Sequence, residues 1–175
     1  MKKASLICIL GLLFFVKSAS AHGGEDKEGL TNLQIMLISL AACFVIYLIS
    51  EKLFSTGLKS NNKIFLSLVT YTGTVHVLLG VNDILLLFGG ISVLLLLIVA
   101  HATNIGRENY GVLQIILGVA IVSMFVAYFV SNHDLHYIAE DFLGITTKLA
   151  ELGVIALIIR QNNKQSQSKN TQSND

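Results

Sequence analysis

Long apolar blocks separated by short polar segments dominate this chain. Five blocks hold roughly 17–20 residues each, the length at which a helix rising about 1.5 Å per residue crosses a hydrocarbon core of about 30 Å. They are Leu33–Ser50, Ile64–Val81, Ile84–Ala100, Gly111–Val130 and Phe142–Ile159. The pattern predicts an all-α fold, a polytopic bundle of about five transmembrane helices in a lipid bilayer.

The amino terminus has the pattern of an export signal. Two lysines precede the apolar run Leu6–Val16, and Ala19-Ser20-Ala21 forms a small-residue cleavage site. We therefore expect a signal peptide over residues 1–21, an extracytoplasmic segment over 22–32 and a helical membrane domain over 33–160. An uncleaved signal anchor is the alternative. The Gln/Asn/Ser-rich tail 161–175 is predicted to be disordered.

The basic residues between the blocks lie on one predicted side. With the mature amino terminus outside, the inner loops hold Lys52, Lys59, Lys63 and Arg107, and the inner tail holds Arg160, Lys164 and Lys169. The positive-inside rule then predicts a multi-pass protein of the cell membrane, with its amino terminus extracytoplasmic and its carboxyl terminus cytoplasmic.

Composition narrows the function classes. Only 13% of the residues are charged and 53% are hydrophobic, whereas soluble domains carry about 25% charged residues. The net charge of +1 gives no reason to expect a nucleic-acid partner. The chain shows no phosphate-binding loop, no CxxC or HExxH motif and no recognisable nucleophile motif. We therefore do not expect an enzyme.

The second apolar block is unusually polar and contains His76. An ionisable group in a span usually faces the bundle interior and marks a pathway or a site. Asp83 follows seven residues later, at the turn before the third block. The alternative interpretations are that His76 hydrogen-bonds a neighbouring helix and that Asp83 caps the third helix.

This segment resembles a known family. From His76 the chain reads H-V-L-L-G-V-N-D before an apolar run, which is similar to the His-Pro-x-x-Gly-x-Asp-His signature of the HupE/UreJ proteins. The resemblance implies a small membrane permease for nickel or cobalt, with His76, Asn82 and Asp83 at the positions implicated in metal passage. Val77 stands where the family has Pro, and the family's Asp-His pair is Asn82-Asp83 here.

Other candidate ligands lie on the predicted outer side. On a helix, His133, His136 and Glu140 would share a face, and two histidines with a carboxylate can chelate one metal ion. His22 would become the amino-terminal residue after cleavage, an arrangement that resembles the amino-terminal histidine sites of copper proteins. The alternatives are an ordinary polar loop at the membrane interface and a mobile acidic tail. Imidazole with carboxylate suits nickel, cobalt, copper or zinc.

Lys148 and Glu151 are charges within the fifth block. Their i, i+3 spacing allows them to pair on one helix. A structural ion pair and a part of a transport path are both consistent with this placement.

The sequence is consistent with two alternative functions. The first is a permease for a transition-metal ion (nickel, cobalt or copper), which would be its substrate. The second is an accessory subunit of a larger membrane complex, such as a copper-dependent oxidase or monooxygenase, whose partner subunits would pack against the small residues of the second and third spans.

Overall fold

The computed structural model describes residues 30–53, 60–81, 83–131 and 140–172, and these are helical almost throughout, with no strand in those ranges. The helices are α1 (Asn32–Leu53), α2 (Ser60–Leu79), α3 (Ile84–Ala102), α4 (Asn104–Glu108), α5 (Tyr110–Ser131) and α6 (Phe142–Gln172). The predicted all-α bundle is confirmed. The predicted signal peptide lies outside the described residues.

Four of the helices, α1, α3, α5 and α6, are long and apolar enough to cross a membrane. The predicted second span corresponds to α2, which is of similar length but more polar. It lies at the centre of the bundle and packs against α1, α3 and α6. Phe65, Leu66, Val69 and Val75 on α2 are almost completely buried. Its polar side chains therefore face other helices, which explains why its hydropathy is lower than that of its neighbours.

Local sequence determines where several helices begin. Thr31 and Gln34 form a capping box, in which each side chain bonds the backbone N–H of the other. Asp83 Oδ1 accepts the Leu85 N–H at 2.9 Å and so caps α3, which confirms the capping interpretation of this residue. Asp141 Oδ1 caps α6 in the same way through the Gly144 N–H at 2.9 Å.

The last helix is longer than the sequence predicted. It continues past Ile159 to Gln172, so residues 161–172 are helical where a disordered tail was expected. Propagating an existing helix adds one hydrogen bond for each residue fixed, and Gln and Lys have good helix propensity.

The helices α2 and α3 form an antiparallel hairpin with a very close crossing. A Cβ added at Gly90 would lie 2.6 Å from the Val77 backbone nitrogen and 2.8 Å from the Gly73 carbonyl oxygen. Only glycine allows the two backbones to approach this far. We call the end of the bundle at which α2 turns into α3 the hairpin end. The starts of α1 and α6 and the end of α5 lie at this end as well.

The hairpin end of the bundle and the opposite half differ in how tightly their interiors are packed. Toward the opposite end, apolar side chains of four helices form a continuous core: Phe65, Leu66, Val69, Val93, Leu97, Leu117, Ile121, Val154 and Ile158. Beyond it, the amides of Gln114, Gln161 and Asn62 are hydrogen-bonded in series across α5, α6 and α2. The opposite half is therefore closed by packed side chains.

Candidate functional site

A buried carboxylate, Glu151 on α6, is the centre of the candidate site. Its side chain has no exposed surface. Lys148, one turn earlier on the same helix, donates to both carboxylate oxygens at 2.9 and 2.7 Å. The same ammonium donates to the Met124 carbonyl of α5 at 3.2 Å. The predicted i, i+3 pair therefore forms, and a backbone carbonyl from a second helix holds it in place.

The ring of His76 faces this pair from α2. Its Nδ1 lies 2.8 Å from the Thr72 carbonyl oxygen, and because a carbonyl can only accept, Nδ1 carries the hydrogen. The other nitrogen, Nε2, lies 3.6 Å from Glu151 Oε1. This separation is longer than an ordinary hydrogen bond. In the neutral ring, Nε2 presents a lone pair to a carboxylate oxygen that is also rich in electrons.

Lys148 already neutralises the carboxylate, but a further positive charge would fit between Nε2 and Oε1. Either a proton on Nε2 or a bound cation can supply it. Two ligands at about 2.1 Å from one tetrahedral ion lie about 3.4 Å apart, so the 3.6 Å separation of Nε2 and Oε1 also suits a bridging metal ion. Nearby on α2, the fully buried Thr72 hydroxyl has no hydrogen-bond partner in the described part of the chain.

Aromatic rings of α5 flank the lysine. The ammonium of Lys148 lies 5.8 Å from the Phe125 ring centroid and 5.1 Å from that of Tyr128, within the range of cation–π attraction. The Tyr128 hydroxyl donates to Asp141 Oδ2 at 2.9 Å. The site thus joins α2, α5 and α6 through contacts among polar and aromatic groups.

A cavity of about 570 Å³ at the hairpin end leads to this cluster. His76 and Lys148 contribute to its lining, and so do the carboxylates of Asp83 and Asp141. Glu151 does not line the cavity and lies behind Lys148. Among the described residues, three carboxylates and one ammonium give the cavity and the cluster together a net formal charge of −2. This charge favours a cation over an anion as the occupant.

The structure brings together only some of the predicted site residues. His76, Lys148 and Glu151 meet, and Asp83 reaches the same cavity. Glu140 is exposed and does not line that cavity. The remaining candidates, His22, Asn82, His133 and His136, lie outside the described residues. Within the described ranges, no group of three or more His, Cys, Asp or Glu side chains is placed to hold a metal ion.

Sequence reasoning did not select Asp141, Tyr128 or Thr72 as site residues. Asp141 had a recognisable signal, because Asp immediately before a helix is a good N-cap and places its carboxylate at the helix end. Tyr128 and Thr72 had no such signal, since an aromatic or hydroxyl residue within a span is equally suited to packing. The carbonyl of Met124 is a backbone group that no side-chain pattern identifies.

Comparison with known proteins adds no assignment: no family model, no curated protein and no solved structure matches the chain. The HupE/UreJ resemblance therefore stays a prediction that depends on about a dozen residues around His76.

Proposed function

We propose that this membrane protein is a permease for transition-metal cations, nickel or cobalt foremost, which pass through the cavity at the hairpin end to His76 and Glu151. The observation that carries the proposal is the lone pair of His76 Nε2 facing a fully buried carboxylate at 3.6 Å, at the foot of that cavity. The first step would be capture of the hydrated ion. Six waters at about 30 Å³ each occupy about 200 Å³, which the cavity of about 570 Å³ accommodates.

The rim carboxylates would attract the ion before it loses water. Asp83 and Asp141 both line the cavity, and a cleft bearing one sign of charge concentrates oppositely charged ions. Each carboxylate also caps a helix, so its position is fixed by the hydrogen bonds that it accepts from backbone N–H groups.

His76 and Glu151 would then replace part of the hydration shell. An imidazole and a carboxylate together suit nickel, cobalt, copper and zinc better than magnesium or calcium. The bond from Nδ1 to the Thr72 carbonyl fixes the ring and its tautomer, as is usual for histidines that bind metals. Two protein ligands give a weaker site than a closed set of four, and passage requires binding weak enough to allow release.

Release on the other side would require a rearrangement. The apolar core and the Gln114–Gln161–Asn62 amides fill the opposite half of the bundle. The structure described here would thus correspond to a state open at the hairpin end. By the predicted orientation that end is extracytoplasmic, because the basic segments lie at the other.

The test is uptake of radiolabelled nickel into liposomes that contain the purified protein. His76→Ala should lower uptake to near that of empty liposomes. His101→Ala is the matched control, because His101 also bonds the carbonyl four residues earlier, at 3.0 Å, yet lies at the opposite end of α3 beside Tyr110. It should leave uptake close to wild type.

Equal uptake by wild type and His76→Ala, at equal reconstituted amounts, would refute the proposal. If wild type transports neither nickel nor cobalt and gentle detergent extraction yields a stable heteromeric complex, the accessory-subunit hypothesis would replace it.

A further inference from the structure

Lys148 separates the cavity from Glu151. It contributes to the cavity lining, whereas Glu151 has no exposed surface and binds the lysine ammonium through both carboxylate oxygens. A cation entering from the cavity therefore meets a positive charge that already occupies its anionic ligand.

We propose that Lys148 is a tethered competing cation, displaced from Glu151 when a metal ion binds and returning when the ion leaves. The inference rests on the proposed function, because it presumes that a metal ion reaches Glu151. In the ion-free protein, the ammonium neutralises a carboxylate that would otherwise be an uncompensated charge inside the membrane. The empty site is thus kept neutral without a metal.

The surroundings provide a position for the displaced ammonium. The Met124 carbonyl accepts from it at 3.2 Å, and the Tyr128 ring centroid lies 5.1 Å away. Neither contact involves Glu151, so the lysine would keep both when the Glu151 carboxylate binds the metal ion. The cavity beside the lysine can hydrate the displaced charge.

Lys148 would therefore set a balance between binding and release. A divalent ion must displace the ammonium to bind, which weakens its affinity. The returning ammonium then competes for the carboxylate and helps to expel the ion. Replacing the lysine by an uncharged side chain of similar length should tighten binding and slow net transport.

The experiment is equilibrium dialysis of the full-length protein in detergent against cobalt, with transport measured in parallel. Lys148→Met should bind cobalt about tenfold or more tightly than wild type, since it removes the cation that holds the carboxylate. Lys148→Met/Glu151→Gln should lose this gain. Lys63→Met is the matched control, because Lys63 pairs with the exposed Glu51 at the opposite end of the bundle. The cobalt affinity of this variant should equal that of wild type.

Wild-type protein gives a second readout that needs no variant. The side chain of Lys148 is only 9% exposed, so a small amine-reactive reagent should modify it slowly. Saturating cobalt should accelerate modification of the Lys148 peptide several-fold, measured by mass spectrometry. A lysine with a structural role alone would stay protected.

Unchanged affinity in Lys148→Met would overturn the inference, and so would tighter binding that persists in the double variant. If Lys148→Met does not fold, protection of Lys148 that is unaffected by cobalt overturns it equally. Nickel uptake that depends on His76, together with any of these three results, would leave the proposed function standing. Absence of both cobalt binding and nickel uptake in wild type would refute both.

Discussion

The burial of the Lys148–Glu151 pair predicts a large coupling between the two side chains. We expect a double-mutant cycle of Lys148→Met and Glu151→Gln to give an interaction energy far above that of an exposed ion pair. The same bundle provides the comparison. Lys63 and Glu51 also form an ion pair, but their side chains are 19% and 60% exposed, against 9% and 0% for Lys148 and Glu151.

The expected magnitude follows from what each single change leaves behind. Breaking a buried pair by removing one partner costs about 3–5 kcal/mol, because the other charge remains buried. After Glu151→Gln, Lys148 keeps the Met124 carbonyl and two aromatic faces, which together offset about 1–2 kcal/mol. The coupling should therefore be about 1–4 kcal/mol, with a midpoint of about 2.5 kcal/mol. The exposed pair should give at most about 1 kcal/mol.

The assay is reversible unfolding in mixed micelles, titrated with a denaturing detergent and followed by helical circular dichroism. Four proteins are needed for each pair, namely wild type, the two single variants and the double variant. A coupling at Lys148–Glu151 no larger than that at Lys63–Glu51 would show that the pair is hydrated or absent. That result would contradict the packing on which the candidate site depends.

Three further changes test other parts of the structure. Gly90→Ala should destabilise the protein by about 1–3 kcal/mol, since the added methyl meets backbone atoms of α2. Gly111→Ala is the control and should cause no loss of stability, because its Cβ would meet nothing within 4 Å. A loss at Gly111 equal to that at Gly90 would contradict the explanation. Asp83→Ala should lower the free energy of unfolding by about 1 kcal/mol, because the helix cap is lost. Asp83→Ser should recover that stability in thermal unfolding but still show weaker nickel uptake at low nickel concentration. Full uptake in Asp83→Ser would exclude a role for the charge. Gln161→Ala should lower the free energy of unfolding by about 1 kcal/mol, because the mostly buried Gln114 loses its hydrogen-bond acceptor. Unchanged stability would show that this contact does not stabilise the fold.

Much of the architecture was predictable because membrane thickness restricts helix length. The predicted spans Ile84–Ala100 and Gly111–Val130 differ from the observed α3 and α5 by no more than two residues at either end. The central position of α2 was not predicted, although its polar character pointed to a protein-facing environment. Hydropathy reports how apolar a helix is, but it does not specify which helices surround it.

The candidate site was predictable only in part for the same reason. Spacing on one helix suggested the Lys148–Glu151 pair, and the structure confirms that the two side chains are bonded. That His76 would face Glu151 could not be derived, because the two residues belong to helices whose order in the bundle is set by long-range packing. The metal roles of His22, Asn82, His133, His136 and Glu140 stay predictions.

The most direct test of the central claim is to locate the ion. Crystals grown with cobalt, measured at the absorption edge of that metal, would show its position by anomalous scattering. We expect a peak between His76 Nε2 and the carboxylate of Glu151, with the Lys148 ammonium moved away from that carboxylate. A peak only at the rim or near the predicted outer-loop histidines, with Lys148 still bonded to Glu151, would contradict the account.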